Sequence, residues 1–362
     1  MAEQAHGGDI LNGKAEARHA YKSANRRKIL FILLFCAVIV GSFFLTLGFG
    51  VYHISLFDSW ATFINHLTGN IQDADADYYI WDVRTPRAIG ALCVGISLAV
   101  AGVVMQNNFR NPLADPYTMG ISSGAFLGAC VYIIAGVTIL PLGGLSGGVG
   151  NAFLFSLIPA GIIVLVSYFR KMTPTAMILT GIAIMFLFSS ICQILMITAS
   201  SETMASAYEW RVGSLSRMRW DYVPVMIGVS SVLVVVIWFL SDKLNVMYAG
   251  DRAAQSLGEK PSLVRILTLV LASLLTASVV AYTGTIGFIG LVGPHVARIF
   301  VGSNNRYLIP ASAAFGAAFV LLADSLAKVS GINGLPVGVI CSMVGGPLFI
   351  IILIRQRKSA WA

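Results

Sequence analysis

Long apolar runs alternate with short polar connections along nearly the whole chain. Runs suited to crossing a bilayer as helices occupy about 29–50, 86–106, 118–141, 151–169, 176–199, 222–240 and 262–283. Three more occupy 286–301, 308–327 and 335–354, of which 286–301 is short, rich in glycine and readable as a broken helix. A hydrocarbon core ~30 Å thick takes about 20 apolar residues per helix, so the pattern predicts ten spans. Series of short alternating strands are missing, which argues against an outer-membrane barrel. An even number of spans puts both ends of the chain on one side.

Composition supports this reading. Of 362 residues, 57% are hydrophobic and 11% charged, against about 25% charged in a soluble domain. An ordinary soluble enzyme and a disordered chain are both excluded. The expected fold is an all-α polytopic membrane protein of about ten transmembrane helices. Its parts are a polar basic tail (1–28), a ten-helix domain (29–355) and a short C-terminal end (356–362). The basic flank and first apolar run resemble a signal peptide, but the run is long and no Ala-x-Ala site follows. It reads as an uncleaved first helix.

The net charge of +8 is read by location. With the N-terminus inside, 18 of the 24 Lys and Arg fall on inside segments, the bias of a cytoplasmic face. Both termini are therefore expected in the cytoplasm, in a multi-pass protein of the cell (inner) membrane, and the positive charge implies no nucleic acid. The loop 51–85 is then outside, long and acidic, and 143–150 forms a flexible glycine-rich turn.

Few residues suggest chemistry. The chain has no Gly-x-x-x-x-Gly-Lys-[Ser/Thr] loop, no His-Glu-x-x-His and no Gly-x-Ser-x-Gly. A membrane enzyme acting on lipid therefore lacks a nucleophile–base set, and no metal or catalytic site is expected. Cys36, Cys93, Cys130, Cys192 and Cys341 stand singly in apolar stretches and read as small buried apolar residues. An ion-coupled carrier working without an ATPase is the alternative function. It usually needs acids or histidines at the midplane, whereas Asp324 and His295 lie near the ends of spans. His295 reads as a hydrogen-bonded structural residue, and Asp324 as the i,i+4 partner of Lys328. The glycines at 284, 287, 290 and 293 read as close packing contacts.

At Arg84-Thr85-Pro86-Arg87, Thr85 suits an N-cap and Pro86 the first helical position. The two arginines then share a face at a helix N-terminus, where the macrodipole disfavours cations. Two readings stay open at this point: headgroup anchors, or docking points for an acidic partner outside.

This segment, continuing through Met105-Gln106 to Asn111-Pro-Leu-Ala-Asp-Pro116, resembles the FecCD-type permeases of ABC importers, which carry iron-siderophores, haem and cobalamin. Gly287-Phe-Ile-Gly-Leu-Val-Gly-Pro-His-Val-Ala-Arg298, Leu321-Leu-Ala-Asp324, Leu335-Pro-Val-Gly338 and Gly345-Gly-Pro-Leu-Phe349 resemble the same family, in its order, over about 29–355. One departure is Gly334, where the family often has Glu. The resemblance implies a homodimer with two cytoplasmic ATP-binding subunits, which hold ATP and Mg, and a periplasmic or lipid-anchored substrate-binding protein. No cofactor is expected in this chain. Arg84, Arg87 and Lys328 match the family's docking positions for the binding protein. The inside loop at about 242–261 looks like its ATPase-coupling segment, with Ala253, Ala254 and Leu257 as an apolar face among Asp251, Arg252 and Gln255, ending at Gly258. The turn Thr173-Pro174-Thr175 matches its cytoplasmic gate; a Pro-bearing turn with solvated hydroxyls is the plain reading of the same residues.

Overall fold

A computed structural model describes residues 2–50, 52–139, 147–170, 172–331 and 334–355, and contains helices and no strands among them. The chain opens with α1 (Ala2–Gly48), one helix that runs back through the basic tail; its apolar, membrane-length part starts at Asn25. Then come α2 (Leu56–Thr68), α3 (Ala74–Asp77) and a seven-residue π-helix, Tyr78–Arg84, that passes directly into α4 (Thr85–Phe109). A hairpin of α5 (Ile121–Ile133) and α6 (Gly147–Arg170) is followed by α7 (Pro174–Thr198), α8 (Ser201–Val212) and α9 (Val223–Phe239). Two short helices, α10 (Ser241–Tyr248) and α11 (Asp251–Ser256), lead to α12 (Pro261–Thr283), α13 (Ile289–Val301), α14 (Asn305–Val329) and α15 (Val337–Arg355).

Every predicted span meets a helix, but the helices differ in length. Among the described residues seven stretches are long and apolar enough to cross a membrane, and α9 with α10, bent by 55°, makes an eighth. The remaining two, α5 and α13, have 13 residues each, or about 20 Å at 1.5 Å per residue. The irregular stretch 284–288 before α13 accounts for the weakness of the eighth predicted span.

The core lies around α4, which is buried along most of its length, as are α12 and α14; α1 and α7 are peripheral. Small residues make this possible. Gly95 of α4 lies against the backbone of Gly316 in α14, and Gly102 against that of Gly290 in α13, so a Cβ at either place would strike a carbonyl. Such spacing brings backbones close enough for dispersion contacts to hold helices together where lipid supplies no hydrophobic drive. Of the four glycines read as packing contacts, Gly290 and Gly293 serve that way against Leu98 and Ala99 of α4, and Gly284 (φ +72), which ends α12, lies so close to the Trp210 carbonyl of α8 that a Cβ would strike it; Gly287 has more room, with the Ser342 hydroxyl nearest.

Two loop expectations are corrected. The acidic stretch 51–85 is helical over much of its length, because capping signals lie inside its polar composition. The Ser55 hydroxyl accepts the Asp58 N–H (3.2 Å), Gly69 closes α2 in the left-handed region, and the Asp73 carboxylate caps α3. Of the glycine-rich turn, 147–150 form the first turn of α6, and 143–146 lie outside the described residues, as do 356–362 and Lys171.

Candidate functional site

The N-terminal end of α4 does not start where Thr85-Pro86 suggests. Thr85 is itself helical and caps nothing: its N–H bonds the Ile80 carbonyl five residues back, and its hydroxyl donates to the same oxygen (2.7 Å). The widened π turn makes room for the ring of Pro86, which would otherwise collide with the preceding turn. The helix thus begins near Asp73, and Arg84 and Arg87 sit well past its first turn, outside the reach of the unfavourable dipole.

Their guanidinium groups find partners within the chain. The Arg84 guanidinium, almost fully buried, donates to the Leu47 carbonyl (2.6 Å) at the end of α1 and to the Tyr52 carbonyl. Arg87 pairs with Asp324 (Nε–Oδ1 2.8 Å). Lys328, also buried, reaches the other oxygen of Asp324 (3.3 Å) and donates to the Thr46 carbonyl (3.1 Å) and hydroxyl (3.0 Å). The expected Asp324–Lys328 pair is present, and Arg87 is a third member that sequence spacing, 237 residues apart, does not reveal. Arg84, Arg87 and Lys328 therefore converge, and all three line one cavity of about 320 Å³ with Tyr52, Glu209 and Ser214. Its ionic residues give the wall a net positive charge. Gly334 lies in the same wall with φ +77, close to the Ala327 carbonyl, a backbone state that disfavours the Glu common in the family.

The C-terminal end of α4 is a polar hub that the sequence reading did not find. Consecutive side chains there leave the helix about 100° apart and so address different neighbours. Gln106 donates to the Gly290 carbonyl of α13 (3.3 Å) and accepts from Arg298 (3.1 Å). Asn107 donates to Asn305 of α14 (2.7 Å), and Asn305 in turn donates to Asn245 of α10 (2.9 Å). Asn108 bonds Thr268 of α12 (2.9 Å), and Arg110 pairs with Asp251 of α11. The only signal in the sequence is the run of amides closing an otherwise apolar span.

The predicted coupling loop is the pair α10–α11. Asp251 faces inward as a tether, accepting from Arg110 and from the buried Arg265 (2.8 Å), which also holds the Asn108 carbonyl (3.2 Å). Ala254 is fully buried with Met247 and Val264, so the apolar face expected of Ala253, Ala254 and Leu257 is divided. Ala253 is half-buried, Leu257 is 68% exposed, and Arg252, Gln255 and Gly258 are exposed beside it. Gly258 (φ +83) turns the chain away from α11, where the Glu259 N–H bonds the Ala254 carbonyl (3.0 Å).

At the predicted gate, Thr173 caps α7 by accepting the Ala176 N–H (3.3 Å), Pro174 occupies the first turn, and the side chains of Thr173 and Thr175 are exposed. His295 is buried, its Nδ1 2.8 Å from the Leu291 carbonyl, as a structural histidine would be. Among the described residues no group of three or more His, Cys, Asp or Glu is placed to hold a metal. The five cysteines are free, four of them buried and Cys36 exposed.

A bundle of membrane-length helices, with a cationic cavity at one end of its central helix and a tethered pair of short helices at the other, defines a multi-pass membrane permease subunit. Comparison with known proteins makes this specific. The chain belongs to the FecCD transport family, which matches residues 35–355. It is 36% identical over 350 residues to an ABC transporter permease protein of Methanocaldococcus jannaschii, covering 93% of this chain and 98% of that one. It is 36% identical over 294 residues to the hemin transport system permease protein of Yersinia pestis, covering 80% and 87%. A solved structure of a metal-chelate type ABC transporter in an inward-facing conformation superposes with a TM-score of 0.79 at 28% identity, covering 90% of this chain and 99% of that one. The chain is thus a membrane-embedded ABC importer permease.

Proposed function

We propose that this permease imports a bulky metal chelate or tetrapyrrole, an iron-siderophore, haem or cobalamin, through a pore at the seam of a homodimer. Each subunit would cross the membrane ten times with both termini cytoplasmic, α5 and α13 contributing short or broken spans. The observation that carries the reading is the α10–α11 pair. It is anchored to the bundle by Asp251 and Ala254 on one side, and presents Arg252, Leu257 and Gly258 on the other. That exposed side is where two separate ATP-binding subunits, holding ATP and Mg, would dock. The tether to Arg110 and Arg265 gives their movement a path to α4 and α12. The cavity around Arg84, Arg87 and Lys328 would receive acidic side chains of a periplasmic or lipid-anchored binding protein. Its net positive wall supports this, since rim charges accelerate association with an acidic surface. Thr173, Pro174 and Thr175 would form the cytoplasmic gate. The cargo class rests on the hemin permease of Yersinia pestis and the metal-chelate type transporter.

The test is uptake into vesicles holding the permease with its co-purified ATP-binding subunits and binding protein, offered haem, a ferric siderophore and cobalamin in turn. Uptake of one of the three that requires enclosed ATP and stops with vanadate is expected. Uptake driven by a sodium or proton gradient without ATP would make the chain a secondary carrier instead.

A further inference from the structure

The exposed face of α1 is lipid-facing in a membrane permease, and it stops short of the helix end. Ile29, Leu30, Leu33, Leu34 and Val40 are exposed along it. Phe43 and Phe44 come next, and they are partly covered. The cover is α2. Trp60 packs edge-on against Phe44 (5.4 Å between centroids) and donates its indole N–H to the Phe44 carbonyl (3.0 Å), while Phe63 packs against Phe43 (6.2 Å).

α2 therefore stands where lipid would otherwise touch α1, and its own far side is apolar. Phe57 (76%), Ile64 (55%) and Leu67 (62%) are exposed, with Ala61 exposed between them. Spacings of four, three and three residues put these on one stripe. The helix sorts its remaining positions accordingly. Ser59, Phe63 and His66 face the protein, and Asp58, Thr62 and Asn65 line a polar cavity with Asp73 and Asp77, which Ala61 borders from the edge of the stripe. There is no Lys or Arg on α2. Its acid, Asp58, is engaged by the Ser55 hydroxyl (2.6 Å), and His66 is held by Asp77 (2.8 Å).

We propose that α2 is an interfacial helix lying along the bilayer surface at the end of α1, with Phe57, Ile64 and Leu67 immersed in lipid. Continuity with the hydrocarbon-facing surface of α1 selects lipid as the occupant, and such helices bury their apolar face ~5–10 Å into the headgroup–acyl boundary. Without lysine or arginine, and with His66 held by Asp77, the attachment depends on apolar contact and not on anionic headgroups. The proposal requires only the membrane location and is independent of cargo and of the ATP-binding subunits.

The test uses the full chain with Cys36→Ala, the other four cysteines being buried, reconstituted in phosphatidylcholine vesicles. Phe57→Cys, Ile64→Cys and Leu67→Cys are each labelled with a fluorophore, with Thr62→Cys and Asn65→Cys as controls on the polar stripe. Acyl-chain nitroxide lipids should quench the first three several-fold more than the controls, and aqueous iodide should show the reverse order. Replacing a third of the lipid by phosphatidylglycerol should change neither. Iodide quenching at 57, 64 and 67 without nitroxide quenching would overturn the proposal by showing a water-facing surface. Protection from both quenchers, with cross-links between two copies, would overturn it in favour of a protein interface.

Discussion

Asp324 is fully buried and is bonded by Arg87 at both carboxylate oxygens and by Lys328 at one of them. Removing one partner of such a set leaves the others charged and unmatched, which typically costs 3–5 kcal/mol. Asp324→Ala should therefore lower stability by about 3–5 kcal/mol, and adding Lys328→Met should recover part of the loss; thermal unfolding in detergent measures both. Equal stability of Asp324→Ala and the wild type would show the cluster to be solvated. A second acid, Asp115, lies in the loop between α4 and α5. Burial raises its pKa from 3.8 to about 6, opposed by the Thr118 N–H that donates to it (2.8 Å). The folded chain then keeps this proton up to about pH 6, while the unfolded chain loses it near pH 4. The proton's contribution is complete at low pH and disappears as pH rises through that window, a difference of up to about 3 kcal/mol. Asp115→Asn should flatten the melting temperature between pH 4 and 6; an unchanged slope would assign the pH dependence to other groups.

Among the elements, α4 is the one that others are built around, and its glycines set how closely they approach. Gly102→Val would force a side chain onto the Gly290 carbonyl and should cost ~1–3 kcal/mol or more by overpacking. Gly228→Ala on α9, where a Cβ meets nothing within 4 Å, should be neutral or slightly stabilising. Melting curves of the two compare them directly, and equal effects would mean that α4 and α13 can separate freely. The positions of the apolar helices were legible in the sequence because each coincides with a long apolar run. Helix starts were less so. At Thr85-Pro86 a π turn carries the helix through a signal that ordinarily begins one, and in 51–85 serine and aspartate caps organise helices that the acidic composition conceals. The short length of α13 was visible in its glycines. The equal shortness of α5 was not, because the run 118–141 stays apolar past the helix end at Ile133.

At the scale of the whole molecule, the sites at the two ends of α4 are made by residues far apart in the chain, which explains how much of them could be read beforehand. Arg84, Arg87 and Lys328 are identifiable singly from motifs, but their convergence on Asp324 and the carbonyls of α1 depends on tertiary packing. The same holds for the hub of Gln106, Asn107 and Asn108, whose partners lie 157 to 198 residues away. In the α10–α11 segment the residue types were legible and their directions were not: Ala254 faces the bundle and Leu257 faces out. That difference supplies the most direct test of the central claim, that α10 and α11 pass movement from an ATP-driven subunit to the permease. A photo-crosslinking residue is placed at Leu257 in the full chain expressed with its importer partners, and Leu257→Asp is compared with Ala254→Asp. The account predicts an adduct with a P-loop ATP-binding subunit at 257. It also predicts loss of that subunit on purification of a normally stable Leu257→Asp, and a destabilised chain for Ala254→Asp. Crosslinking at 257 to lipid or to no protein, with ATP-dependent uptake intact in Leu257→Asp, would contradict it.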